Sequence, residues 1–269
     1  MDKRLRIPTL NDNVLDFERM FKIRDVFSEC YDNIRFDFSR CNFLRPNAVA
    51  FLGGLARFIE SKGKSAIFDW ETVQNDAVMM NLRQNGFAGQ FGYDSKGWEG
   101  NSIPYCQHCS MEMDEIMDYL TDKWIGKGWV HVSEELADAI VGTMWEIYNN
   151  AFEHSETPIG VFSCGQFFKN KKELILDVID FGKGIPKTIR EYFLDCNNTE
   201  KVQFYQGKDY LEWAFQEGHT TTTEGVARGL GLDILKEFVQ ANHGKLEVYS
   251  NDSYVLIDKG GESFQNMCF

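Results

Sequence analysis

The chain has 269 residues, 43% of them apolar, which is material for more than one packed core, so two domains are expected. Lys and Arg number 28 against 41 for Asp and Glu, a formal charge of -13; that excess of acid repels a phosphate backbone, and with no basic stripe to offset it nucleic acid is excluded as a partner. No apolar run approaches the roughly 20 residues that cross a bilayer, and the start, MDKRLRIPTLNDN, lacks an apolar h-region, so a cytoplasmic protein with no membrane association is expected.

Taken in chain order, residues 14–30 repeat apolar positions at helical spacing and NIRFDF then alternates with period two, so a helix and a strand open the chain. PNAVAFLGGLARFIES predicts a helix of small residues with Pro46 near its start, and GKSAIFDW returns as a strand. This order defines an α/β unit. A helix near 75–85, the turn QNGF and the Gly-rich FGYDSKGWEGNSIP bring a first domain to its close at residue 104.

Residues 105–132 are expected to connect the domains and to carry an acidic helix over 111–126. Cys106 and Cys109 flank His108 at C-x-x-C spacing, which is half of a zinc site, but structural zinc needs four ligands and no second pair follows. The remaining cysteines are scattered without the density of a disulfide framework, so all seven are expected to be reduced.

A second domain, 133–269, starts with Ser133 as a helix cap and Glu134 and Glu135 as first-turn acids. PIGVFSCGQFF and ELILDVIDFG predict an antiparallel pair of strands, KLEVYS and SYVLID a second pair around ND, and helices fall near 186–194, 208–216 and 230–242. The fold class is therefore α/β in the first half and α+β in the second, with a mainly antiparallel sheet covered by helices on one face.

The first helix of this half carries EIYNNAFEHS, an unusual load of polar groups. Glu146 and Asn150 are one turn apart and share a face. Alone, such a pair is an ordinary solvated helix face. Further along, a strand ends in DFGKGIP, where Asp180 can accept a hydrogen bond from an exocyclic amine and Gly182 and Gly184 let a flat ring approach the backbone. In RGLGLDILKEFV, Gly229 and Gly231 open an amphipathic helix whose free N–H groups suit an anion. Together these pieces describe a nucleotide site: Asp180 for adenine, the glycine-started helix for phosphates, and Asn150, whose side-chain oxygen suits Mg²⁺. Glu146 can orient or deprotonate a nucleophile.

The segment from about 135 to 258 resembles the histidine-kinase-like ATPase superfamily of gyrases, mismatch-repair ATPases, a heat-shock chaperone class and sensor kinases. EIYNNAFEHS is similar to its N-box, DFGKGIP to its first glycine box, and GHTTTTEGVARGLGLDILKEFVQANHGKLEVYS to its lid, second glycine box and following helix and strand. The resemblance implies a Bergerat-type α/β sandwich binding Mg²⁺ and ATP under a lid. Asn150 would then be the metal ligand, Asp180 the adenine reader, and Gly182, Gly184, Gly229 and Gly231 close-approach positions. Thr220, Thr221 and Arg228 in the lid-like segment are candidates for phosphate contact; His154 either lies near the phosphates or ends its helix. Many members dimerise, and no heptad seam here enforces a dimer.

The first half, over roughly residues 33–92, is similar to STAS domains, some of which accept a phosphoryl group just before the helix that follows the strand. Here Arg45, Pro46 and Asn47 hold that place, and none is such an acceptor. The similarity implies a docking or sensing domain for a protein partner. No histidine upstream sits on a dimerisation hairpin, which disfavours histidine autophosphorylation. An ATPase whose lid closure switches partner contacts is the expectation; the alternative is a Ser/Thr protein kinase of the anti-sigma-factor type, with Glu146 activating a hydroxyl on another protein.

Overall fold

A computed structural model of the chain describes residues 3–28, 33–93, 100–153, 155–221 and 231–268. The chain divides into two compact units that are each discontinuous in sequence: Met1–Ala137 with Pro158–Phe181, and Asp138–Thr157 with Gly182–Phe269.

The first unit opens with β1 (Lys3–Leu10), α1 (Val14–Ser28), β2 (Ile34–Leu44), α2 (Pro46–Ser61) and β3 (Ala66–Asp69). The strands are parallel in the order β1-β2-β3, so α1 and α2 are the crossovers that parallel pairing requires. The α/β unit is as expected, with one correction: a strand, not a helix, opens the described chain. Leu5, Ile7 and Leu10 of β1 are buried while Arg4 and Arg6 are exposed. Pro8 falls at a shift of register against β2, an interruption that suits an edge strand because Pro donates no ladder hydrogen bond.

Next come α3 (Asp76–Gln84), capped by the Asn75 side chain accepting from the Ala77 N–H at 2.9 Å, and α4 (Phe87–Gln90) after the QNGF turn, where Gly86 has φ 79°. Residues 105–132, expected as a connector, carry regular structure: the end of β4 (Ser102–His108), α5 (Met113–Asp118) and a π-helical turn over Tyr119–Trp124. The acidic helix expected over 111–126 is thus shorter and ends in that turn. Beyond α6 (Glu134–Glu153), β5 (Val161–Phe168) and β6 (Glu173–Asp180) form the expected antiparallel pair, and β4 adds to it in the order β4-β5-β6.

The helix α2 joins the two sheets of this unit. Apolar or small except for the Arg57–Glu60 pair and Ser61 near its C-terminus, it is buried nearly all round. It packs on β2 and β3 and also on β5 and β6, and one core runs from Ile7, Phe36 and Leu52 to Phe162 and Phe181. A β-carbon on Gly53 would strike the Tyr105 ring, and one on Gly54 the Phe181 ring. The glycine pair is what lets aromatic side chains from β4 and the end of β6 close on the helix.

The second unit takes most of α6 and adds α7 (Ile185–Asp195), α8 (Thr199–Phe204), α9 (Gly207–Ala214), α10 (Gly231–Ala241), β7 (Lys245–Ser250), β8 (Ser253–Asp258) and β9 (Gly261–Asn266). The strands form an antiparallel meander, β7-β8-β9. The expected two-residue turn at Asn251–Asp252 is present, with Asn251 at φ 52°, the left-handed setting such hairpins favour. Phe215, Val255 and Ile257 form a core with Leu232 and Val239 of α10; Ile189, Phe193, Tyr210 and Trp213 form another among α7, α8 and α9. The antiparallel strands of the chain pair as two three-stranded sheets among the described residues, where one sheet is the expectation. No described helix is long and apolar enough to cross a membrane.

Candidate functional site

The polar stripe is placed by α6. Its N-terminus is capped as expected, with the Ser133 hydroxyl accepting from the Leu136 N–H at 3.2 Å and Glu134 and Glu135 in the first turn. Hydrogen bonds from its own backbone N–H and from Ser133 hold the Glu135 carboxyl below its ordinary range. Val141, Tyr148 and Ala151 form the buried face, and Tyr148 is wholly buried. Glu146 and Asn150 are only half-buried.

Within that pair, the Asn150 side-chain N–H donates to the Glu146 carbonyl at 2.7 Å. The amide nitrogen thus serves the helix, and Oδ1 is the atom left to accept or to ligate. Gly231, the first residue of α10, stands over both groups. A β-carbon there would lie 3.1 Å from Glu146 Oε2 and 3.6 Å from Asn150 Nδ2. Gly231, where α10 begins among the described residues, therefore faces a carboxylate and an amide across a gap that a β-carbon would narrow to 3.1 Å.

The first glycine segment divides between the units. Asp180 closes β6 opposite Val161, and the next residue, Phe181, is buried against α2, stacked on Phe51 and Phe58 with ring centroids 5.7 and 5.6 Å away. In the second unit, a β-carbon on Gly182 would strike the Ser155 carbonyl, and one on Gly184 the side-chain oxygen of Asn251. Gly184 has φ 83°, a backbone setting that other residues rarely adopt. Both glycines are thus required by the chain's own neighbours, whereas the sequence points only to the approach of a flat ring.

Lys183 lies between them. Its N–H donates to the Ser155 carbonyl at 2.7 Å, its carbonyl accepts from the Asn251 amide at 3.0 Å, and its Nζ donates to Glu156 at 2.6 Å and Glu191 at 2.9 Å. Those carboxylate partners raise the Lys183 ammonium above its ordinary value, and Lys183 holds the Glu191 carboxyl below its own. Ser155, Lys183 and Asn251 are the residues that sequence reasoning missed. The ND turn signals a left-handed asparagine, but nothing in the local sequence shows that its amide reaches back to the glycine segment.

Of the remaining candidates, Thr220 and Thr221 follow α9 and are half-buried. His219 just before them stacks on Trp213, with centroids 4.4 Å apart, and its Nδ1 lies 2.9 Å from the Trp213 carbonyl oxygen. Arg228, Gly229 and His154 lie outside the described residues. At the C-x-x-C segment, burial pushes the Cys106 thiol up to about 11 and holds His108 below its ordinary value. No group of three His, Cys, Asp or Glu able to hold a metal occurs among the described residues.

Residues 135–266 match the family model described as histidine kinase-, DNA gyrase B- and HSP90-like ATPase. No curated protein and no solved structure matches the chain. The matched segment runs from α6 through β9 and holds Glu146, Asn150, Asp180, Gly182, Gly184 and Gly231. It is a domain of that ATPase family, and membership implies ATP binding.

Proposed function

We propose that the protein is a Mg²⁺-dependent ATPase that works as a regulatory switch, its nucleotide state setting the contacts of a STAS-like first half with a protein partner. The single observation that carries this reading is the meeting of Gly231, at the start of α10, with the Glu146 carboxylate and the Asn150 amide. That arrangement suits Mg²⁺ and a triphosphate, because Asn150 presents an oxygen of the kind Mg²⁺ prefers and Gly231 keeps a cradle beside it that a β-carbon would fill.

When bound, Mg²⁺ and ATP supply the phosphoanhydride and its charge neutralisation. Asn150 Oδ1 would hold the metal. Gly231 at the start of α10 would hold phosphate oxygens, and the resemblance assigns the same role to Gly229, Thr220, Thr221 and Arg228. Asp180 would accept from the adenine amine, and Glu146 would take the proton of the water that adds to the γ-phosphorus as ADP leaves.

In this reading the domains follow chain order: 1–104 STAS-like, 105–132 the connector and 133–269 the ATP-binding domain. The seat of Phe181 on α2 supports a role for the first half, since Phe181 directly follows Asp180, the proposed adenine reader. The test is phosphate release from labelled ATP with Mg²⁺. Glu146→Gln should slow release by about 10² to 10⁴, the range general-base catalysis supplies, with nucleotide affinity kept. Unchanged release would remove Glu146 from the chemistry. Label transferred instead to a protein of a cell extract would identify a kinase of the anti-sigma-factor type.

A further inference from the structure

We propose that Lys183 and Asn251 are positioning residues of the nucleotide site, clamping the Gly182–Gly184 segment in one conformation. The inference rests on the reading of the second half as an ATP-binding domain. Glycine has more backbone freedom than any other residue, so a segment with two glycines in three residues is loose by itself, and nucleotide can engage only the fraction of molecules that hold the right conformer. The structure removes that freedom by tying every polar group of the central residue. The N–H of Lys183 is bonded to Ser155 in the segment after α6, its carbonyl to the β7–β8 turn at Asn251, and its Nζ to Glu156 and to Glu191 of α7. Three separate elements therefore hold one residue.

Asn251 meets two demands at once. It adopts φ 52°, which asparagine tolerates better than most residues, and it donates from its amide to the Lys183 carbonyl while its Oδ1 lies against the bare face of Gly184. Glycine would satisfy the first demand only. Aspartate would keep the turn and the shape but lose the donor. A purely structural role for Asn251, as a residue suited to a tight hairpin, thus makes a different prediction from the clamp.

The experiment is titration calorimetry of the full chain with ADP and with AMP-PNP, each with Mg²⁺, alongside thermal unfolding. Asn251→Gly is expected to weaken both nucleotides about tenfold, the worth of one lost hydrogen bond, while its unfolding midpoint stays within about 5 °C of the parent. Lys183→Met should weaken them similarly, and Lys183→Arg should return affinity to within about threefold of the parent. Asn197→Gly, at another left-handed position with φ 54°, should leave affinity unchanged. If Asn251→Gly does not fold, Asn251→Asp carries the same expectation. The clamp is overturned if the parent binds nucleotide and the Asn251 variant and Lys183→Met bind within about threefold of it. If the parent binds neither nucleotide, the ATP reading itself fails and takes the clamp with it.

Discussion

Gly231 and Glu146 stand so close that a β-carbon on the glycine would lie 3.1 Å from the carboxylate oxygen. The obstacle is the far end of a flexible side chain, so an alanine can be admitted, but only by moving Oε2 a few tenths of an ångström. Alanine is also the better helix former, by up to about 1 kcal/mol. Gly231→Ala should therefore leave the unfolding midpoint unchanged or raised while phosphate release falls about tenfold, a barrier increase of about 1.4 kcal/mol. Parallel phosphate-release and calorimetric scans check this, and an Ala variant that hydrolyses at the parent rate would separate the α10 start from the acid.

The Lys183 ion pairs give stability a defined pH window. Lys183 is raised on folding, so its contribution is complete below its ordinary value of 10.5 and is lost as pH climbs through the raised one. Glu191 is lowered, so its contribution is present above its ordinary value of 4.5 and disappears as pH falls through the lowered one. Glu156 and Lys187 are the other charged groups acting on the pair. Because Glu156 and Glu191 are 71% and 43% exposed, solvent screening keeps the gain to about 1 kcal/mol or less. The difference in urea-unfolding free energy between the parent and Lys183→Met should be level from about pH 5 to 10 and shrink on either side. A difference that is flat down to pH 3 would show that the pairs contribute nothing.

The six described cysteines separate into exposed and buried sets. Cys109, Cys196 and Cys268 are exposed, whereas burial pushes the thiols of Cys41 and Cys106 up to about 11 and raises that of Cys164 as well. Only the thiolate is nucleophilic. Iodoacetamide at pH 8 should modify the three exposed residues in the folded protein and reach Cys41, Cys106 and Cys164 only after denaturation, as peptide mass mapping will show. Fast labelling of Cys106 would revive a redox role for the C-x-x-C segment.

Most helices and the strands β2, β3 and β5 to β8 were legible in the sequence because their signals are local. The Ser133 cap, the Pro46 helix start, the ND turn and the alternation of β8 all sit within a few residues of their effect. The strands that escaped, β1, β4 and β9, are all sheet edges. Pro8 and Pro104 interrupt β1 and β4 at shifts of register, and β9 is the polar GESFQN. Their pairing is decided by the neighbouring strand rather than by their own composition. At the site, Glu146, Asn150 and Gly231 were legible by residue type and order, and the structure brings these three together. Ser155, Lys183 and Asn251 were not legible, because the link between Lys183 and Asn251 spans 68 residues and depends on tertiary packing. The double packing of α2 is visible in the sequence only as a helix whose polar side is confined to its last turns, at Arg57 and Glu60.

Calorimetry with AMP-PNP tests the central claim most directly, by comparing the parent with and without Mg²⁺ and Asn150→Ala with it. A nucleotide pocket built on Asn150 predicts saturable binding by the parent that weakens at least about tenfold when Mg²⁺ is withheld or Asn150 loses its oxygen. Absence of binding by the parent, or equal affinity in all three titrations, would contradict it.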